Sequence, residues 1–150
     1  MEGNKEAVKV LNNLIEVSED GKKGFEEAAN DAKDSSLKSL FRDCSTQCAA
    51  AAGDLIKAVN ALGGKADDSG SATGAAHRGW VKLKSKVENP NVAVLEEVER
   101  GQDHAKASYA KALKAQLPQT IREMVQRQYE GVVRHHDQIR DLRNRYQAAA

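Results

Sequence analysis

The strongest constraint on this chain is a run of inward-facing positions that steps alternately by four and three residues, repeated in four separate stretches. It is longest in the stretch that Pro118 opens, where it reads Ile121, Val125, Gln128, Val132, His135, Ile139, Leu142 and Tyr146. Such stepping keeps these side chains on one side of a helix, so the helix faces other helices along its whole length. A first stretch gives Ala7, Leu11, Leu14, Ser18, Gly21, Phe25, Ala28 and Ala32. A second gives Leu37, Phe41, Cys44, Cys48, Ala51, Leu55, Ala58 and Leu62, and a third Leu95, Val98, Gln102, Ala105, Tyr109 and Ala112. The pattern predicts an all-α four-helix bundle in one domain over 1–150, with helices over about 3–32, 35–62, 92–116 and 118–146.

Composition supports this. Hydrophobic residues make up 40% of the chain but aromatics only 4%, so the core is built from Leu, Val, Ile and much Ala, which suits closely approaching helices. Strand-like alternation is absent. A net charge of +1, with acids and bases interspersed, argues against nucleic acid and acidic membranes as partners. The longest uncharged run, Cys44–Gly53, falls well short of the roughly 18 apolar residues a membrane span needs. The first ten residues, MEGNKEAVKV, lack the apolar segment of a signal peptide, and two cysteines four apart form no disulfide framework. The expected setting is a reducing cytoplasm.

Local signals refine the picture. Gly21 and Gly24 inside the first helix each cost about 1 kcal/mol against alanine. Close backbone approach by a neighbour is the expected reason, and room for a ligand or metal the alternative. Asp34, Ser35 and Ser36 supply the N-cap of the second helix, and Gly63-Gly64 its left-handed stop. Cys44 and Cys48, one turn apart with no CxxC or histidine pair beside them, read as small core residues. Lys65–Gly74 reads as a loop. It is followed by a short helix over about 75–87 that carries His77, Trp80 and Leu83 on one side, with Trp80 packing over the bundle end; Pro90 closes the connection. The tight Gln116-Leu117-Pro118 link makes the third and fourth helices antiparallel neighbours. The connection between the second and third helices is far longer than a hairpin needs, which permits a crossover along the bundle as in ferritin-like folds, since about 12 extended residues reach 40 Å. The pairs Glu19/Lys23, Glu96/Arg100, Glu123/Arg127 and Glu130/Arg134 read as solvated helix surface, and Arg140, Arg143 and Arg145 complement the dipole of the last helix.

The seam midpoints place Ser18, Cys48, Gln102, Gln128 and His135 at one height, with Asp20 and Glu99 close by. A carboxylate-bridged di-iron centre needs a Glu from each of two helices and a Glu-x-x-His from each of the other two. That motif does not occur: His104 follows Glu99 by five, and His135 follows Glu130 by five. The polar centre therefore reads as a hydrogen-bonded layer that fixes helix register. His135 and His136 diverge by about 100° and cannot share a face; His135 follows the seam and His136 flanks it. The candidate metal ligands are Asp20, Glu99, Gln102, His135 and His136, for iron or another divalent metal, with no cofactor expected as the first reading. No phosphate loop, nucleophile elbow or triad spacing occurs.

Four segments carry a family resemblance: Leu11–Ala29, Leu62–Trp80, Glu99–Leu113 and His136–Arg143. Together they resemble a bacterial ferritin-like four-helix-bundle family of unknown function whose members are associated with stress responses. The resemblance implies a ferritin-like bundle and no established activity. The family pattern has Glu at the position of Gln102 and Glu-Leu at Asp54-Leu55, while Asp20, Asp103 and His136 match it. Loss of charge at Gln102 weighs against metal. The expectation is a non-catalytic, self-associating bundle, a dimer being simplest; the alternatives are a degenerate di-iron protein or oxidoreductase, and an adaptor that binds a partner helix in a groove.

Overall fold

The computed structural model describes residues 2–66 and 90–149. Among the described residues the fold is all-helical: α1 (Glu2–Asp31), α2 (Ser35–Ala61), α3 (Pro90–Ala112) and α4 (Gln119–Ala149). The expected short helix over 75–87, with His77 and Trp80, lies outside the described residues. No described helix is long and apolar enough to cross a membrane.

Helix ends follow local chemistry, with three corrections. Pro90 opens α3 rather than closing the connection before it, at the position where a missing N–H costs nothing. The third helix stops at Ala112 instead of running to Gln116. The carbonyls of the turn that follows are taken by the Arg122 guanidinium, which donates to Leu113 O (2.5 Å) and to Ala115 O. Asp34 is the N-cap of α2, but its side chain makes no cap hydrogen bond; its carboxylate accepts from the Tyr146 hydroxyl instead. Gly63 has φ 78° and Gly64 N donates to Val59 O (3.0 Å), which is the left-handed stop that the Gly-Gly pair predicts.

Contacts fix the topology. Near its start α1 meets the end of α2, where Asn12 Nδ2 donates to Lys65 O (3.0 Å). Near its other end it meets the start of α3, where Asn91 Oδ1 accepts from Lys33 N (2.9 Å). The end of α2 and the start of α3 therefore lie at opposite ends of the bundle, about 35 Å apart at helical rise. The helices run up, down, down, up, and the α3–α4 hairpin that the tight link predicts is present. α1 packs on α2 and α3, and α3 on α4, whereas α2 and α4 barely meet.

Two apolar clusters occupy opposite ends of this arrangement. One joins Phe25, Ala28, Ala32, Leu37, Phe41, Val94, Leu95 and Ile139, with the Phe25 and Phe41 rings stacked 6.1 Å apart. The other joins Leu11, Leu14, Ile15, Leu55, Val59, Tyr109, Ala112 and Val125.

The helical glycines do not do what their positions suggest. At Gly21 a Cβ would lie 3.0 Å from Cys48 Sγ, so the close neighbour is a side chain, not a backbone. At Gly24 a Cβ would meet nothing within 4 Å. Gly64, by contrast, lies under Val8, whose methyl carbons would be 2.6 and 2.8 Å from an added Cβ. Gly24→Ala should thus stabilise the fold by about 1 kcal/mol in urea unfolding, while Gly64→Ala should destabilise it by about 1–3 kcal/mol.

Candidate functional site

Between the two apolar clusters the helices part around a cavity of about 720 Å³ lined by residues of all four helices. The sequence explains the space. Gly21 and Gly24 of α1, Ala50 and Ala51 of α2, Gly101 of α3 and Gly131 of α4 all line it, so little side-chain volume is available to fill the middle. Its polar lining includes Asp20, Glu97, Gln102, Gln128, Arg134 and His135.

One hydrogen-bonded relay crosses this waist and touches every helix. Ser18 Oγ of α1 and the Tyr109 hydroxyl of α3 share a hydrogen at 3.3 Å. Tyr109 Oη donates to Gln128 Oε1 of α4 (2.8 Å), and Gln128 Nε2 donates to Ala51 O of α2 (3.3 Å). The predicted layer thus contains Ser18 and Gln128, but its hub is Tyr109, which seam spacing marks only as inward-facing. Burial pushes the Tyr109 phenol up to about 12, against the lowering effect of the Ser18 bond, so the hydroxyl keeps its proton as the donor role requires.

Gln102 is buried, at 6% exposure, and lines the cavity. Its Oε1 has no hydrogen-bond partner among the described residues. His135 also lines the cavity, half-buried; burial and then Arg134 lower its pKa, which favours the neutral ring.

Cys44 is buried in the Phe25–Phe41 cluster, and Cys48 lies half-buried on the cavity wall beneath Gly21. Burial, and for Cys44 the Asp43 charge, pushes each thiol up to about 12. Neither is a thiolate near neutrality, so neither is primed as nucleophile or metal ligand.

The second constellation lies outside the cavity, between α3 and α4. His136, at 8% exposure, is the buried histidine of α4, where seam spacing points to His135. The reason is geometric: α4 has lost α2 as a close neighbour, so its buried face turns toward α3. His136 Nε2 lies 2.5 Å from Asp103 Oδ1, and Nδ1 lies 3.1 Å from Asp137 Oδ1. That contact with His136 is the largest cause lowering the Asp137 pKa. Glu99, also buried, is paired with the Arg143 guanidinium. Donor atoms of Glu99, Asp103 and His136 all lie within 4.8 Å of one another, the one such grouping of His, Cys, Asp and Glu found among the described residues.

Of the sequence-level candidates, then, Glu99 and His136 come together, while Asp20, Gln102 and His135 face the cavity. Asp103 completes the cluster; its match to the family pattern was the signal for it. Glu97, buried and paired with Arg100 at 2.6 Å, had no signal in the sequence. A carboxylate-bridged di-iron centre draws on four helices. The cluster here draws on two, with an arginine already on one acid, and these residues do not fit such a centre.

The chain belongs to the family described as a domain of unknown function (DUF2383), whose model matches residues 6–115. The match covers α1, α2 and α3 and ends before α4, so Glu99 and Asp103 fall within it and His136 lies beyond it. No curated protein matches the chain.

Tyr109→Phe should lower stability by about 1–2 kcal/mol in chemical denaturation, because it strands the Gln128 and Ser18 groups. Both thiols should react with a disulfide-exchange reagent at least a hundredfold more slowly in the native protein than in denaturant, since a pKa of about 12 leaves roughly one thiolate in ten thousand at pH 8.

Proposed function

We propose that this protein is a non-catalytic, ferritin-like bundle that acts as a binding module, with the central cavity as its ligand site. The ligand class is a small, largely apolar molecule that carries one N–H or O–H donor. The observation that carries this reading is a cavity of about 720 Å³ with the buried Gln102 in its lining, whose Oε1 has no partner among the described residues and which a rotation of the side chain would present to a guest. Burying an unpaired polar atom costs about 1–3 kcal/mol, and a donor on a ligand would recover that cost. The volume lies within the range of small-molecule sites.

The ferritin-like description is supported by the up-down-down-up order of the four described helices. A stress-associated role comes from the family resemblance. Self-association, with a dimer as the simplest form, is argued from long helices rich in alanine. Both belong to the same reading.

The test is fluorescence titration with N-phenyl-naphthylamine, an apolar probe with one N–H. Binding of one probe per chain is expected, weakened about tenfold or more by Gly24→Leu, which places a side chain into the space. Gln102→Leu should weaken the amine probe selectively and leave phenylnaphthalene, which has no donor, bound as before. Absence of probe binding, or equal binding by Gly24→Leu and the parent protein, overturns the cavity reading.

A further inference from the structure

We infer that Glu99, Asp103 and His136 form a mononuclear site for one divalent transition-metal ion, Zn²⁺ or a similar ion, on the α3–α4 face. The site is separate from the cavity and does not depend on the ligand proposed for it.

The argument starts from His136. Metal-bound histidines usually donate their second ring N–H to a carboxylate, which fixes the tautomer and aims the other nitrogen at the ion. Asp137 Oδ1, 3.1 Å from Nδ1, is in place to accept that hydrogen, and the lone pair of Nε2 then points outward from the ring. It points at Asp103 Oδ1, 2.5 Å away. An unprotonated imidazole nitrogen and a carboxylate oxygen both present lone pairs, so at this distance a proton lies between them, and a metal ion would take its place as the two atoms move apart. Glu99, one helical turn before Asp103 on α3, supplies a second carboxylate, and all three donor atoms lie within 4.8 Å of one another. Donors around one ion lie about 3–4 Å apart at bond lengths near 2.1 Å, so side-chain rotations must open the Nε2–Oδ1 contact by about 1 Å to admit the ion. Two carboxylates and one imidazole suit a borderline or moderately hard divalent ion, with water filling the open positions.

Access and competition are both visible. Asp103 has 61% of its side chain exposed and forms the entry side, while Glu99 and His136, at 11% and 10%, form the floor. Arg143 sits on Glu99 and stands in for a cation there. Metal entry requires the guanidinium to release that carboxylate, so Arg143 limits the affinity. Removing its charge should therefore tighten binding, whereas in a purely ionic clasp between the helices it would only weaken the fold.

The experiment is isothermal titration calorimetry with Zn²⁺ alone near neutral pH, on the parent protein and on His136→Gln, Asp103→Asn, Arg143→Gln and His104→Ala, each checked for helicity by circular dichroism. The expected result is one ion per chain, with affinity about tenfold or more lower in His136→Gln and Asp103→Asn. Arg143→Gln should bind more tightly, and His104→Ala should match the parent. Nuclear magnetic resonance of the His136 ring should show Nε2, not Nδ1, shifting on Zn²⁺ addition, a signature that a structural role alone would not produce. Unchanged binding in both His136→Gln and Asp103→Asn, which would place the ion elsewhere (on the cysteines, for example), overturns the proposal. So does the absence of binding at millimolar Zn²⁺.

Discussion

The Tyr109 hydroxyl occupies the point where four helices are held at a distance instead of being packed together. Apolar clusters close the bundle at its two ends, but between them the wall is built from glycines and alanines too small to reach across. Ser18, Tyr109, Gln128 and the Ala51 carbonyl span that gap with directional bonds, one group from each helix. Such a relay sets register in a way that apolar packing does not, because each member is satisfied only at one relative height of the helices. It also bridges α2 and α4, which otherwise barely meet, as does the bond of the Tyr146 hydroxyl to Asp34 at the other end of α2.

The α3–α4 face is organised by a different principle. Burying a charge is costly unless it is paired, and here the pairs are made between helices: Glu99 with Arg143, and Asp103 with His136. Gln147 adds a bond to Glu96 near the end of the hairpin. α3 thus serves two surfaces with adjacent residues. Gln102 turns into the waist, and Asp103, about 100° further round the helix, turns to α4.

How much of this the sequence discloses depends on whether a signal is local. The seam of α1 is read well: Ala7, Leu11, Leu14, Ser18, Phe25, Ala28 and Ala32 are all buried. Its spacing alone suffices, because α1 has close neighbours on two sides. The seam of α4 also faces inward, with Val125 and Ile139 fully buried, Ile121, Val132, Leu142 and Tyr146 packed on the clusters and Gln128 and His135 on the cavity, but the histidine that is buried is the flanking His136. A strict four-three stepping drifts by about 20° per heptad against a straight helix, and α4, with one close neighbour, is not held to the assumed direction. For Gly24 the sequence offers close packing first and open room as the alternative; that the space beside it is open is a property of the other three helices. The burial of Glu99 was invisible for the same reason, since its partner Arg143 lies 44 residues away and a basic residue near a helix end has a ready local explanation in the dipole.

The size of the waist decides what can occupy it. The space, about 720 Å³, opens to solvent where Ala50 and Arg134 of its lining are exposed. Water therefore fills it in the free protein. Water can enter where polar residues such as Asp20, Glu97, Arg134 and His135 line the wall, but it gains little against the glycines, alanines and Phe25 elsewhere on it. Poorly ordered water against an apolar wall is the kind whose displacement favours binding. The same shortage of side-chain volume that prevents α2 and α4 from closing on each other thus leaves the bundle receptive to a guest. In the proposed reading, Gln102 and the relay define which end of that guest must be polar.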